Sequence, residues 1–176
     1  MITLSARLAR PIHWRALIAD VVLAGMILGP LAAPFLQAWE LLVPRTVAGV
    51  IYTMGTFVCP QPSRGVPLYD GYIMAVCMRC YGTVLGLLLT RLLYAAGGAG
   101  RLWLPQYGLR SLPIFAVMIF TYAAEFAGEV VGLWQFDNLV VTIAGLVTGL
   151  GLGLMFHPVL QGYSAGLNGT YGSVAA

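Results

Sequence analysis

Long apolar runs separated by short polar segments dominate the chain. Four of these runs approach the ~20 residues that a helix needs to cross the hydrocarbon layer of a membrane, and they occupy 16–38, 76–94, 112–132 and 139–159. A fifth run, 46–58, is shorter and follows Pro44 and Arg45, which we expect to interrupt the preceding segment. We therefore predict an all-α, polytopic membrane helix bundle in a single domain over 1–176. It would have four transmembrane helices and an interfacial or re-entrant helix at about 46–58.

Composition supports a membrane location and argues against a soluble domain and against a nucleic-acid-binding protein. The chain is 60% hydrophobic and only 9% charged, whereas soluble domains are about 25% charged. All nine basic residues are arginine, and a net charge of +3 spread along the chain does not predict nucleic-acid binding.

The distribution of arginines predicts the orientation in the membrane. With four crossings, one side would hold the larger set (Arg7, Arg10, Arg15, Arg91, Arg101, Arg110) and the other the smaller set (Arg45, Arg64, Arg79). Positively charged flanks remain in the cytoplasm, so we expect both termini there and the loop 59–75 outside. The first run also resembles a signal peptide, but its length and the lack of an Ala-x-Ala site favour a retained helix.

Three cysteines converge on the outer loop in this topology. Cys77 and Cys80 lie one helical turn apart, and Cys59 begins the loop that leads to them. Three interpretations stay open: a structural disulfide or inert thiols, a redox dithiol near a helix N-terminus, or a site for zinc or another soft metal. No histidine lies on this side to complete a four-ligand site, and Asp70 is the sole acid of the loop.

Charged residues inside the predicted helices form a second candidate cluster. Arg79 and Glu129 each lie about one turn inside the outer end of a helix, and Glu125 lies one turn deeper. We predict that Arg79 pairs with Glu129, with Glu125 nearby, because an unpaired charge at this depth is costly. Two acids against one arginine indicate a surplus negative charge or a shared proton. The cluster is therefore either a structural ion pair or a proton- or cation-handling site.

Glycines recur four residues apart in the apolar runs, a spacing that lets two helix backbones approach closely. The strongest cases are in the second and fourth runs: Gly82, Gly86, Gly145, Gly149 and Gly153. They predict a tight bundle, or close contact with another membrane subunit or a second copy. His157, which precedes Pro158, has two interpretations: a ligand of haem or bacteriochlorin, or a side chain at the membrane interface. For His13 we expect the interfacial position.

The residues around the cysteines resemble a known family of small bacterial and archaeal membrane proteins, domain of unknown function 2085. The resemblance covers roughly 50–155 and rests on Cys59 followed by Gln61 and Arg64, then Cys-x-Arg-Cys from Cys77 and Gly82. Further on, Asn138 and Gly145 match the family pattern, and Glu125 and Glu129 would occupy its acid and Gln positions. The chain departs from the family pattern at four positions. Pro60 stands where the family has His, Tyr81 and Ala144 where it has Thr, and Val141 where it has Arg. If Cys-His with Cys-x-x-Cys binds a metal in the family, Pro60 removes one ligand.

Three functional hypotheses follow from these features. The first is a non-catalytic accessory subunit of a larger complex in a prokaryotic cytoplasmic membrane, for which electron-transfer and photosynthetic assemblies are settings. The second is a thiol or metal site at the outer surface, built from Cys59, Cys77 and Cys80, in an enzyme or a sensor. The third is a proton-coupled carrier that uses Glu125 and Glu129.

Overall fold

The computed structural model describes residues 14–39, 41–95 and 104–160, and most of them are helical. Five α-helices follow one another: α1 (Trp14–Ala38), α2 (Leu42–Val58), α3 (Met78–Ala95), α4 (Ser111–Val131) and α5 (Asn138–Leu160). The four long runs coincide with α1, α3, α4 and α5 to within two residues at each end. His13, most of the N-terminal arginine flank and the polar tail after 160 lie outside the described residues.

Three segments of the described chain are long and apolar enough to cross a membrane: Leu17–Ala38, Tyr107–Val131 and Asn138–His157. The membrane class of the prediction is thus supported, while four crossings plus an interfacial helix stay a prediction. The remaining predicted crossing, α3, is not among these three segments; it has 18 residues and includes both Arg79 and Arg91. Because α3 is packed among the other helices, it needs fewer apolar side chains than a helix facing lipid.

Helix α2 begins earlier than predicted, at Leu42, and runs through Pro44 and Arg45. Pro44 is tolerated because it lies in the first helical turn, where a backbone N–H has no partner within the helix. The first such bond of α2 is donated by the Arg45 N–H to the Leu41 carbonyl, at 3.3 Å. At 17 residues, α2 is about 25 Å long, somewhat less than the ~30 Å thickness of a hydrocarbon core.

A β-hairpin within the loop 59–75 was not predicted. Strand β1 (Pro67–Tyr69) pairs antiparallel with β2 (Tyr72–Ile73). The turn between them is Asp70-Gly71, and both residues have positive φ, 46° and 77°. Asp-Gly between apolar and aromatic residues is a strong hairpin signal, so the sequence contained this information although no strand was predicted in the loop.

The closest helix contact joins α3 to α5 through glycines. A Cβ atom on Gly82 or Gly86 would collide with the α5 backbone, and one on Gly145 or Gly149 would collide with the α3 backbone. Gly153 faces the side chain of Thr90 in the same interface. These glycines therefore bring two helix backbones together within the chain, and α4 also packs against α5.

Candidate thiol and charge site

The three cysteines meet where α2 ends and α3 begins. The Cys59 N–H donates to the Gly55 carbonyl at 2.9 Å and so terminates α2, while the Cys77 carbonyl accepts the Tyr81 N–H at 3.0 Å and so begins α3. Cys80 lies in the first turn of α3. The helix ends thus hold sulfur atoms from two distant parts of the sequence at one place.

The sulfur atoms are close enough to act together. Cys59 Sγ lies 3.3 Å from Cys77 Sγ, and Cys77 Sγ lies 3.7 Å from Cys80 Sγ. All three lie within 4.8 Å of one another, and the structure has them as free thiols. Cys59 and Cys77 are buried, whereas Cys80 is half-buried. The arrangement brings together the three residues that the sequence proposed as a thiol or metal site.

Hydrogen bonding differentiates the acidities of the thiols. Contacts with the Cys77 and Cys80 thiols lower the pKa of the Cys59 thiol, and the Cys77 backbone N–H donates to Cys59 Sγ at 3.3 Å. The pKa of Cys77 is raised, because its hydrogen bond to Cys59 favours its protonated form. Cys59 therefore ionises before Cys77. The nearby N-terminus of α3 further favours negative charge at this position.

Arg79 lies next to this cluster and is fully buried, with 0% of its side chain exposed. Its Nε donates to Glu125 Oε2 at 2.5 Å and its second terminal nitrogen donates to Glu129 Oε2, also at 2.5 Å. The remaining guanidinium nitrogen donates to Gln61 Oε1 at 3.3 Å. The structure thus places both acids proposed from the sequence on this arginine.

A second arginine, Arg64, joins the charged cluster and was missed in the sequence analysis. It pairs with the other oxygen of Glu129, and its guanidinium lies 4.9 Å from the centre of the Phe136 ring. The order of contacts is Arg64–Glu129–Arg79–Glu125, which we call the charge chain. Its two arginines balance its two carboxylates, so the expected surplus negative charge disappears when all four groups are ionised.

Glu125 is the terminal member of the charge chain and is incompletely satisfied. Its Oε2 atom binds Arg79, but Oε1 is the one buried side-chain polar atom without a hydrogen-bond partner among the described residues. The side chain is only 7% exposed. Tyr122, one turn before Glu125 in α4, has its hydroxyl 3.8 Å from Cys80 Sγ. The same face of α4 therefore touches both the charge chain and the thiols.

A separate ion pair lies towards the other end of α3. Arg91 donates through Nε and a terminal nitrogen to the two oxygens of Asp20 on α1, at 2.6 and 2.5 Å. His157 is buried nearby on α5, and its Nε2 lies 3.4 Å from the Leu87 carbonyl oxygen. His157 is thus far along α3 from the cysteines, and it provides no fourth ligand for them.

Comparison with known families gives one match. The profile described as "Predicted membrane protein (DUF2085)" matches residues 59–155. The chain belongs to the DUF2085 family. The match to DUF2085 begins at Cys59 and includes all three cysteines and the whole charge chain, whereas α1 and α2 precede it. Comparisons with curated proteins and with solved structures find no match.

Proposed function

We propose that the protein is an integral membrane protein that binds a soft metal ion, of which zinc is the first candidate, through Cys59, Cys77 and Cys80. The supporting observation is the mutual approach of three sulfur atoms within 4.8 Å. Sulfur ligands bound at ~2.3 Å around a tetrahedral zinc ion lie about 3.8 Å apart. The sulfur separations of 3.3 and 3.7 Å in the structure are both slightly shorter than that spacing, so small outward adjustments of the side chains would form the site.

The donor set is incomplete for a closed structural zinc site. Among the described residues, no histidine or carboxylate joins the three cysteines in the cluster. Structural zinc sites have four protein ligands, while sites that exchange ligands or activate water have three and an open position. We therefore favour a site whose fourth position is filled by water or a small exogenous ligand, or one that holds a soft ion in three-coordinate form.

We further propose that this site faces the outside of a prokaryotic cytoplasmic membrane, with both termini in the cytoplasm. The excess of arginines on the other side of the predicted bundle supports this orientation. Reporter fusions after residue 176 and within the hairpin turn at Gly71 would test it. A cytoplasmic reporter at the hairpin would contradict it without bearing on metal binding.

The other two hypotheses have weaker support from the geometry. The glycines that suggested an accessory subunit are occupied by the α3–α5 contact, so they provide no surface for a partner. The carboxylates that suggested a carrier are both engaged by arginines, which favours a structural ion pair. For these reasons we favour the thiol site over the accessory-subunit and carrier hypotheses.

The decisive experiment combines metal analysis with thiol titration on protein purified anaerobically in mild detergent. We expect about one metal ion per chain and thiols that resist alkylation until a chelator is added. Cys77→Ser should abolish binding, because Cys77 is the central sulfur, while Ser63→Ala in the adjacent loop should leave it unchanged. Three freely alkylated cysteines and no bound metal, before and after incubation with zinc, would refute the proposal.

A further inference from the structure

Tyr122 is the point of α4 that touches the thiol cluster. Its hydroxyl oxygen lies 3.8 Å from Cys80 Sγ, within the range of a hydrogen bond to sulfur. On α4, Tyr122, Glu125 and Glu129 lie at successive turns, so one helix face presents a phenol to the thiols and two carboxylates to Arg79.

Cys80 is the least anchored of the three cysteines. Cys59 and Cys77 hold each other through the 3.3 Å sulfur contact and through the Cys77 N–H. Cys80 is half-buried, and its contacts other than Cys77 are the Val58 carbonyl at 4.0 Å and the Tyr122 hydroxyl. A carbonyl can accept from a protonated thiol but offers nothing to a thiolate. Once Cys80 loses its proton to bind a metal, the Tyr122 hydroxyl is the remaining donor described at that sulfur.

The surroundings of Tyr122 strengthen it as a donor. The Arg79 guanidinium carbon lies 5.7 Å from the centre of the Tyr122 ring, a cation–π distance. A positive charge over the ring withdraws electron density from the phenol and makes its O–H more polar. Arg79 is held there by two carboxylates, so the charge chain fixes the cation that acts on the phenol.

We propose that Tyr122 is a positioning residue of the metal site: its hydroxyl donates a hydrogen bond to the Cys80 thiolate and orients that sulfur towards Cys59 and Cys77. This inference rests on the proposed metal-binding function. It assigns the charge chain a role as well, because Glu125 and Glu129 hold the Arg79 guanidinium beside the Tyr122 ring.

Tyr122→Phe is the direct test, since it removes the hydroxyl and keeps the ring under Arg79. Residues that orient metal ligands through hydrogen bonds change metal affinity by about 10- to 100-fold when they are lost. We expect a loss of that order in zinc affinity, measured by competition with a chelator, together with a shifted sulfur-to-metal charge-transfer band in the cobalt-substituted protein. Tyr81→Phe is the matched control: Tyr81 is a buried tyrosine that packs in the same hydrophobic cluster as Cys59 and Cys77, but its hydroxyl makes no hydrogen bond to a sulfur atom among the described residues.

A second readout in metal-free protein separates this inference from the proposed function. Without the Tyr122 donor, alkylation of Cys80 at fixed pH should slow on the order of twofold to tenfold, the effect of one ordinary hydrogen bond to the reacting thiolate. If the wild type binds metal and Tyr122→Phe matches it in affinity, spectrum and alkylation, the inference is wrong and the function stands. If no metal binds but Cys80 alkylation still slows, the function is wrong and the contact stands. No metal and no slowing would overturn both.

Discussion

The burial of Arg79 makes it the residue whose loss should most disturb the folded protein. Arg79→Met leaves Glu125 buried with no partner, while Glu129 keeps Arg64. At an effective dielectric of about 20, each charge contact near 4 Å corresponds to ~4 kcal/mol before the cost of desolvation. Removing one partner of a buried pair typically costs about 3–5 kcal/mol. We expect a loss of that size in the free energy of unfolding, measured by titrating SDS into mixed micelles and following far-UV circular dichroism.

Two further variants isolate the cause of that loss. Glu125→Gln in the Arg79→Met background removes the orphaned charge, so it should recover most of the lost stability. Arg64→Met is the matched control, because this arginine is 44% exposed and exposed pairs contribute only about 0–1 kcal/mol. Equal losses for Arg64→Met and Arg79→Met, or no recovery in the double variant, would show that the charge chain does not behave as a buried network.

Three other outcomes follow from the structure. Gly86→Ala should destabilise the protein by about 1–3 kcal/mol, because the added methyl group would collide with the Leu146 carbonyl oxygen of α5 and lie 2.7–2.8 Å from two further α5 backbone atoms. Gly25→Ala, with nothing within 4 Å, is the control, and equal unfolding midpoints for the two variants would contradict the packing. Because the pKa of Cys59 is lowered, its alkylation in metal-free protein should persist as pH falls from about 9 to 7. Alkylation of Cys77, whose pKa is raised, should fall steeply over the same range. Peptide mass spectrometry would measure both rates, and parallel pH profiles for the two cysteines would show that the assignment is wrong. Asp20→Asn should cost under ~1 kcal/mol, since that aspartate is 40% exposed, and an effect as large as that of Arg79→Met would contradict this contrast.

The apolar runs were sufficient to predict the helices and most of their ends. Length and apolarity of a run are local properties, so α1, α3, α4 and α5 could be predicted to within two residues. The hairpin turn at Asp70 and Gly71 was equally local and could have been predicted from that pair. The early start of α2 was harder, because Pro44 is a helix breaker in an interior and harmless in a first turn.

The contacts that complete the site, and their distances, came from the packing of the whole chain. Helical spacing placed Cys77 near Cys80 and Glu125 near Glu129, but it contained nothing about the path of the loop between Cys59 and α3. That path places Arg64 on Glu129 and the sulfur of Cys59 3.3 Å from that of Cys77. Likewise, the glycine pattern predicted close packing of two helix backbones without identifying α3 and α5 as the two helices. Contacts between residues far apart in sequence depend on how the whole chain packs, and no local pattern encodes that packing.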